Sequence, residues 1–178
     1  MYSLPNLLSI SRILLILPIL ILLSSNSKNL QLISIVLFII AALTDFLDGY
    51  LARKTNTESS HGALLDLLAD KLLICIVLIY LITQFNSLQY VIPILIIVTR
   101  EITISIMRQY LAETDSGKKT TPSFLGRVKT FVQILCVPLL ILSLTHSDLI
   151  FLSIIFLWVS AIISAYSLFD YFNTWRKP

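Results

Sequence analysis

The segment DFLDGYLARKTNTESSHGALLDLLADK, residues 45–71, places four aspartates in an otherwise very apolar chain. They form two pairs, Asp45 with Asp48 and Asp66 with Asp70. Spacings of three and four residues put both members of a pair on one face of a helix. Four carboxylates close together repel one another unless they are neutralised. Oxygen donors alone suit hard divalent cations, so the pattern predicts a site for Mg²⁺ or Mn²⁺ that can hold two ions.

Cationic side chains later in the chain suggest what such a metal site would act on. Two divalent ions a few ångströms apart are a common device for clamping a phosphate during an in-line displacement. Arg100, Arg108 and Lys129 lie in or next to apolar sequence, and an ionisable residue as deep as Arg100 is a functional candidate. An ion pair with Glu101 is the structural alternative for Arg100. We interpret the pattern as phosphoryl transfer to an acceptor that carries its own phosphate.

Composition indicates that membrane helices position these residues. Hydrophobic residues make up 57% of the chain and charged residues only 13%, and apolar runs of about 20 residues cross the hydrocarbon core as helices. The first run lacks the charged start and cleavage site of a signal peptide, so we expect a helix that begins along the membrane surface and then inserts. We predict an all-α integral membrane bundle, one domain over residues 1–178, with six transmembrane helices at about 4–24, 30–52, 62–84, 88–110, 122–145 and 149–173.

The basic residues of the loops predict the orientation of this bundle. Lys and Arg follow the second, fourth and sixth segments, whereas 84–88 and 145–148 contain none and Lys28 stands alone on that face. Both termini and the aspartates are therefore expected on the cytoplasmic side. The basic residues form no extended stripe, which argues against a nucleic-acid partner. A cation transporter is an alternative to a transferase. Such a protein would favour carboxylates at the bilayer midplane and a chain built of two related halves. The DxxDG pattern does not recur in this chain, which argues against a transporter.

Small residues near the aspartates and the two cysteines can each be explained by packing as well as by a functional role. Gly49, Ala52 and Gly62 accompany the aspartates, and either close helix packing or a flat ligand against the backbone explains them. Cys75 and Cys136 lie apart in apolar runs without metal-ligand spacing. We expect both cysteines to be core residues and no zinc site.

The aspartates belong to a longer pattern that reads Asp45-x-x-Asp48-Gly49-x-x-Ala52-Arg53, eight residues, then Gly62-x-x-x-Asp66-x-x-x-Asp70. This pattern resembles the signature of the CDP-alcohol phosphatidyltransferase family. The blocks LPNLLSISRILLILP, ADKLL, REITISIMRQ and LGRVKTFVQ are also similar to the branch of that family that makes phosphatidylglycerophosphate. Leu67 and Arg127 depart from that branch, which usually has Pro and Lys there, but neither change removes a group that the chemistry requires.

The resemblance implies a Mg²⁺- or Mn²⁺-dependent transfer of the phosphatidyl group of CDP-diacylglycerol to sn-glycerol 3-phosphate. The products would be phosphatidylglycerophosphate and CMP. Sibling enzymes that use serine, inositol phosphate or a second phosphatidylglycerol, as in one cardiolipin synthase type, share the signature and stay open as alternatives. We expect a bacterial inner membrane, with an organellar inner membrane as the open alternative, and the loop charges put the site on the cytoplasmic side. Members of the family often form homodimers, so the resemblance also implies a homodimer.

The same resemblance implies roles for individual residues. Two metal ions would be held by Asp45, Asp48, Asp66 and Asp70, and Asp70 would also be the base that takes the proton of the attacking hydroxyl. Arg100, Arg108 and Lys129 are the candidates for binding glycerol 3-phosphate. The CDP-diacylglycerol contacts would come from the N-terminal segment with Asn6, and from Gly49, Ala52, Arg53, Ser59 and Gly62.

Overall fold

Six α-helices form wherever the sequence has a long apolar run. The computed structural model describes residues 4–25, 27–55, 60–113 and 124–176; within these ranges the side chains of 4–8, 45–55, 60–67, 70, 108, 110–113, 124–127 and 174–176 are outside the description. A 3₁₀ turn at Ser147–Leu149 precedes the last helix, and the described ranges contain no strand. The helices are α1 Leu4–Leu23, α2 Lys28–Thr55, α3 Ser60–Phe85, α4 Leu88–Glu113, α5 Phe124–Ser143 and α6 Ile150–Arg176.

The prediction of an all-α fold with six helices is confirmed. Each predicted segment overlaps one helix, and the bounds differ by a few residues. Around the signature, α2 ends at Thr55, three residues later than predicted, and α3 begins at Ser60, two residues earlier. Helical backbone therefore extends past the apolar run into the polar sequence that carries the signature.

A two-residue turn joins α3 to α4. Asn86 adopts a left-handed conformation with φ of 43°, and its N–H donates to the carbonyl of Ile82 at 3.0 Å, which is a common way for a helix to end. The Ser87 carbonyl accepts from the N–H of Tyr90 at 3.0 Å and opens α4. The rings of Phe85 and Tyr90 stack with centroids 4.0 Å apart. So short a connection makes α3 and α4 antiparallel neighbours.

The helices pack as two groups that share an interface. In the first group α1 packs against both α2 and α3, and in the second α6 packs against both α4 and α5. α3 contacts α4 and α5, and α2 contacts α5, which joins the groups. Direct contact between α2 and α3 is sparse among the described residues. Among the described residues, α2 and α3 therefore contact α1 and the second group more than each other.

The bundle has an apolar exterior and polar groups inside. Large hydrophobic side chains face outward on every helix, among them Leu14, Leu17 and Phe151, which are 69%, 66% and 75% exposed. Arg12, Glu101 and Lys129 are almost completely buried. A water-soluble protein keeps most charged side chains on its surface. An apolar exterior with charged side chains inside instead matches a helical bundle surrounded by lipid.

Two helices are long and apolar enough in the described residues to cross a membrane, Leu88–Met107 within α4 and Ser147–Asn173 around α6. The other four contribute shorter apolar stretches, Ser9–Leu23, Lys28–Thr44, Lys71–Phe85 and Val128–Ser143. The chain therefore has the helical architecture expected of a membrane protein, and the number of spans stays a prediction.

Candidate functional site

The four signature aspartates lie on two helices that are joined by a short connection. Asp45 and Asp48 are on α2, about 10 to 15 Å along the axis from its end, at ~1.5 Å per residue. Asp66 and Asp70 are about 9 to 15 Å from the start of α3. Both pairs thus lie at similar depth at the end of the bundle where α2 leads into α3.

The residue types in this region fit a hard divalent cation. Four carboxylates supply oxygen donors only, and Mg²⁺ and Mn²⁺ prefer such ligands. The aspartate side chains are outside the described set, so the metal site stays a prediction. Among the residues that are described, no group of three or more His, Cys, Asp or Glu side chains could hold a metal ion.

The residues predicted to contact CDP-diacylglycerol lie in the same part of the chain. Asn6 is on α1, whereas Gly49, Ala52 and Arg53 are on α2 and Gly62 is on α3. Their side chains, like that of Arg108 on α4, are outside the description, and Ser59 lies outside the described residues altogether. These assignments stay predictions.

The described side chains that follow the signature include a buried ionic group centred on Glu101 of α4. Glu101 Oε2 accepts a hydrogen bond from Lys71 Nζ of α3 at 2.7 Å. Its Oε1 forms an ion pair with Lys129 Nζ of α5 and lies 3.4 Å from Arg100 Nη1. Glu101, Arg100 and Lys129 are all buried, and the Lys71 side chain is 24% exposed. We call Lys71, Arg100, Glu101, Lys129 and Gln133 the Glu101 cluster.

Gln133 and two serines extend this cluster to α6. Gln133 Nε2 of α5 lies 3.4 Å from both Glu101 Oε1 and Ser164 Oγ. Arg100 Nη2 donates to Ser167 Oγ at 2.7 Å. Glu101, Gln133, Ser164 and Ser167 are each at most 2% exposed. A polar network connects α3, α4, α5 and α6, and its members on α4, α5 and α6 are buried.

Helix packing explains why these charges are stable inside the bundle. A buried charge is costly unless it is paired and hydrogen-bonded. The Glu101 carboxylate supplies the counter-charge for cations from three helices and accepts from Gln133 of α5, and Ser167 of α6 accepts from Arg100. An arrangement of this kind holds cationic groups at fixed positions, as an anion-binding site requires.

The Glu101 cluster begins where the signature ends. Lys71 directly follows Asp70 in the chain. Lys71 and Glu101 lie near the middle of α3 and α4, and Lys129 lies in the first half of α5, so their ion pairs put the cluster next to Asp70 and further along α3 than Asp66. Two of the three predicted acceptor-binding residues, Arg100 and Lys129, are thus brought together around Glu101.

Sequence reasoning missed several members of this site. The sequence singles out Lys71 only as part of the ADKLL block and gives it no separate role. Helix α6 carries no recognisable motif. The serines on α6 recur at one-turn and two-turn intervals, Ser153, Ser160, Ser164 and Ser167, and all are buried. That periodicity is the signal that could have indicated an inward-facing polar stripe. Arg12 of α1, fully buried, is a further charged side chain to which the sequence analysis assigned no role. The two cysteines are buried, as expected.

Comparison with known proteins gives a consistent result. Residues 2–166 match the model of a family described as CDP-alcohol phosphatidyltransferase. A protein of Rickettsia felis named CDP-diacylglycerol--glycerol-3-phosphate 3-phosphatidyltransferase is 38% identical, covering 98% of this chain and 96% of the relative. Proteins of the same name from Wigglesworthia glossinidia brevipalpis and Haemophilus influenzae are 39% and 33% identical, covering 84% and 96% of this chain and 82% and 91% of the relatives.

Proposed function

The chain belongs to the CDP-alcohol phosphatidyltransferase family, and from this premise we propose that it transfers the phosphatidyl group of CDP-diacylglycerol to sn-glycerol 3-phosphate. The products are phosphatidylglycerophosphate and CMP. The observation that carries the proposal is similarity over nearly the full length to relatives named for this reaction. The buried cations of the Glu101 cluster support a phosphorylated acceptor over serine.

The reaction exchanges one phosphorus–oxygen bond for another. A hydroxyl oxygen of glycerol 3-phosphate attacks the phosphorus that bears the diacylglycerol, and the bond from that phosphorus to the CMP oxygen breaks. The hydroxyl proton passes to the Asp70 carboxylate, because an alcohol is a weak nucleophile until a base within hydrogen-bond reach removes its proton. Asp70 is placed by α3 next to Lys71, whose ammonium is bound to Glu101.

The acceptor is oriented by its own phosphate. Arg100 and Lys129 bind this phosphate in our proposal, with Arg108 nearer the end of α4. Two contacts hold the Arg100 guanidinium in one plane: Nη2 donates to Ser167, and Nη1 lies near Glu101. A cation held in place by packing loses little further freedom when the substrate binds, which favours the orientation needed for attack.

The carboxylates of Asp45, Asp48, Asp66 and Asp70 would hold two Mg²⁺ or Mn²⁺ ions, which when bound stabilise negative charge on the phosphates. The donor lipid would lie against α2 and α3, where Gly49, Ala52 and Gly62 permit close approach of the cytidine. Arg53, Ser59 and Asn6 would contact the rest of the CDP-diacylglycerol headgroup. Arg53 would also stabilise the CMP anion as it leaves.

We propose that all six helices span the membrane, with α1 beginning along its surface and both termini in the cytoplasm. The apolar exterior supports embedding in lipid, and the distribution of Lys and Arg among the loops supports the orientation. A bacterial inner membrane would then present the site to water-soluble glycerol 3-phosphate while the diacylglycerol tails stay in lipid. The homodimer stays a prediction.

The acceptor is tested by offering purified protein CDP-diacylglycerol and Mg²⁺ with one alcohol at a time. We expect CMP release and phosphatidylglycerophosphate with glycerol 3-phosphate, and little of either with serine, inositol phosphate or phosphatidylglycerol. CMP release with another alcohol but not with glycerol 3-phosphate would assign the chain to a sibling reaction. Movement of Mn²⁺ across vesicles without any CMP release would instead support a transporter.

A further inference from the structure

We infer that α6 belongs to the acceptor site, with Ser167 as the positioning residue that holds the Arg100 guanidinium towards the acceptor phosphate. The inference rests on the proposed function, since it deepens the role given there to Arg100. The match to the family model ends at residue 166, one residue before Ser167.

The contact between Arg100 and Ser167 has the features of a specific anchor. It joins α4 to α6, which pack directly against each other, and the Nη2–Oγ distance is 2.7 Å. Ser167 is 2% exposed and Arg100 is 5% exposed, so bulk water does not compete for the bond. Glu101 Oε1 lies 3.4 Å from Nη1 of the same guanidinium. Contacts at two nitrogens restrict rotation of a planar group far more than one contact does.

The buried serines of α6 differ in what they contact. Ser164 and Ser167 accept from Gln133 and Arg100 of the cluster. Ser153 donates to the Ile150 carbonyl of its own helix at 2.8 Å. Ser160 is fully buried, and its Oγ has no hydrogen-bond partner. Of these four buried serines, only Ser164 and Ser167, in the C-terminal half of α6, contact the Glu101 cluster.

Helix packing alone would not require a hydroxyl at position 167. Serine is common at membrane helix contacts because it is small, and alanine is smaller still and keeps the helices close. Replacement by alanine therefore removes the hydrogen bond and retains the packing. Ser160→Ala is the matched control, because it removes a hydroxyl from the same buried face of the same helix without touching the cluster.

The experiment measures KM for each substrate in wild type, Ser167→Ala, Ser160→Ala and Ser167→Thr. We expect Ser167→Ala to raise the KM for glycerol 3-phosphate about tenfold, the scale of one lost hydrogen bond to a charged group. The KM for CDP-diacylglycerol should stay within twofold, and Ser160→Ala should match wild type for both. Ser167→Thr retains the hydroxyl and should recover most of the loss.

A binding measurement separates this inference from the proposed function. Protection of the detergent-solubilised protein against thermal unfolding is titrated with glycerol 3-phosphate, and Ser167→Ala should need about ten times more ligand than Ser160→Ala. Equal KM values and equal protection in the two alanine variants would overturn the role of Ser167 and leave the function intact. A wild type that neither uses nor is protected by glycerol 3-phosphate would overturn both.

Discussion

Lys71 of α3 and Glu101 of α4 form an ion pair with 2.7 Å between Nζ and Oε2. Lys71 directly follows Asp70 in the chain. Because adjacent residues of a helix share one rigid turn, the ion pair restricts both the rotation of α3 and its shift along α4. It therefore couples the backbone at the proposed base to the cations proposed for the acceptor.

Replacing Lys71 tests the mechanical role of this pair. We expect Lys71→Gln to lower the free energy of unfolding by about 1 to 2 kcal/mol, because a charged hydrogen bond is lost at a position that is partly exposed. Lys71→Arg keeps the charge and should lose less. Unfolding in mild detergent measures the stability, and equal loss in both variants would show that the charge of Lys71 contributes nothing.

Glu101→Gln should have a larger effect than any single cation variant. It leaves Lys71, Lys129 and Arg100 close together in a buried region without their shared carboxylate. Breaking a buried ionic group in this way costs about 3 to 5 kcal/mol. The matched control is Asp148→Asn, an exposed carboxylate in the turn before α6, which should change stability by less than about 0.5 kcal/mol. Equal unfolding curves for the two variants would contradict the central role of Glu101.

The sequence predicted the helices well because long apolar runs leave few alternatives. In lipid the backbone must satisfy its own hydrogen bonds, so each run becomes a helix. The helix ends were predicted less accurately, because polar residues extend the helices beyond the apolar runs, as at Thr55 and Ser60. Asn86 and Ser87 are residue types that favour turns, so the sequence indicates the α3–α4 turn. The stacking of Phe85 on Tyr90 across that turn depends on three-dimensional packing and is not evident from the sequence.

The site was only partly predictable for a similar reason. Arg100 and Lys129 are conspicuous because cations are rare in apolar sequence. Glu101 was recognised as a partner for Arg100, but its contact with Lys71 depends on how α3 and α4 are rotated. Ser167 is uninformative alone, since serine in a membrane helix is equally explained by its size. Helix rotation decides which of these residues meet, and local sequence does not specify it.

Asp70→Asn tests the proposed base. Loss of the proton acceptor should lower the rate of CMP release by about 10² to 10⁴-fold, the usual contribution of a general base. The assay follows CMP from CDP-diacylglycerol in mixed micelles with glycerol 3-phosphate and Mg²⁺. Asp148→Asn serves again as the exposed-carboxylate control and should keep full activity. An active Asp70→Asn enzyme would assign the proton transfer to another group.

Arg100→Ala tests the acceptor assignment. We expect the KM for glycerol 3-phosphate to rise roughly 10- to 100-fold, because a charged contact to its phosphate is lost. The KM for CDP-diacylglycerol should change little, and removal of an exposed cation by Lys28→Ala should affect neither. A similar rise for both substrates would mean that Arg100 acts only as a structural partner of Glu101.

The two ends of α6 provide a direct test of membrane orientation. Ser147 precedes the helix and Asn173 lies near its other end, and both are exposed. The native thiols Cys75 and Cys136 are buried and can be replaced by alanine to give a background without cysteine. In that background we expect Ser147→Cys to react with a membrane-impermeant maleimide applied outside bacterial cells from which any outer membrane has been removed.

Asn173→Cys should react with the same reagent only after the inner membrane is permeabilised. The reason is that the basic residues after α2, α4 and α6 favour the cytoplasmic side, whereas the turn at Ser147 contains no Lys or Arg. Labelling of Asn173→Cys from outside, with Ser147→Cys protected, would invert the topology. Inversion would put the aspartates on the wrong side for cytoplasmic glycerol 3-phosphate. Because Ser147 lies just before α6 and Asn173 lies near its far end, a labelling difference between the two probes also requires that α6 crosses the membrane.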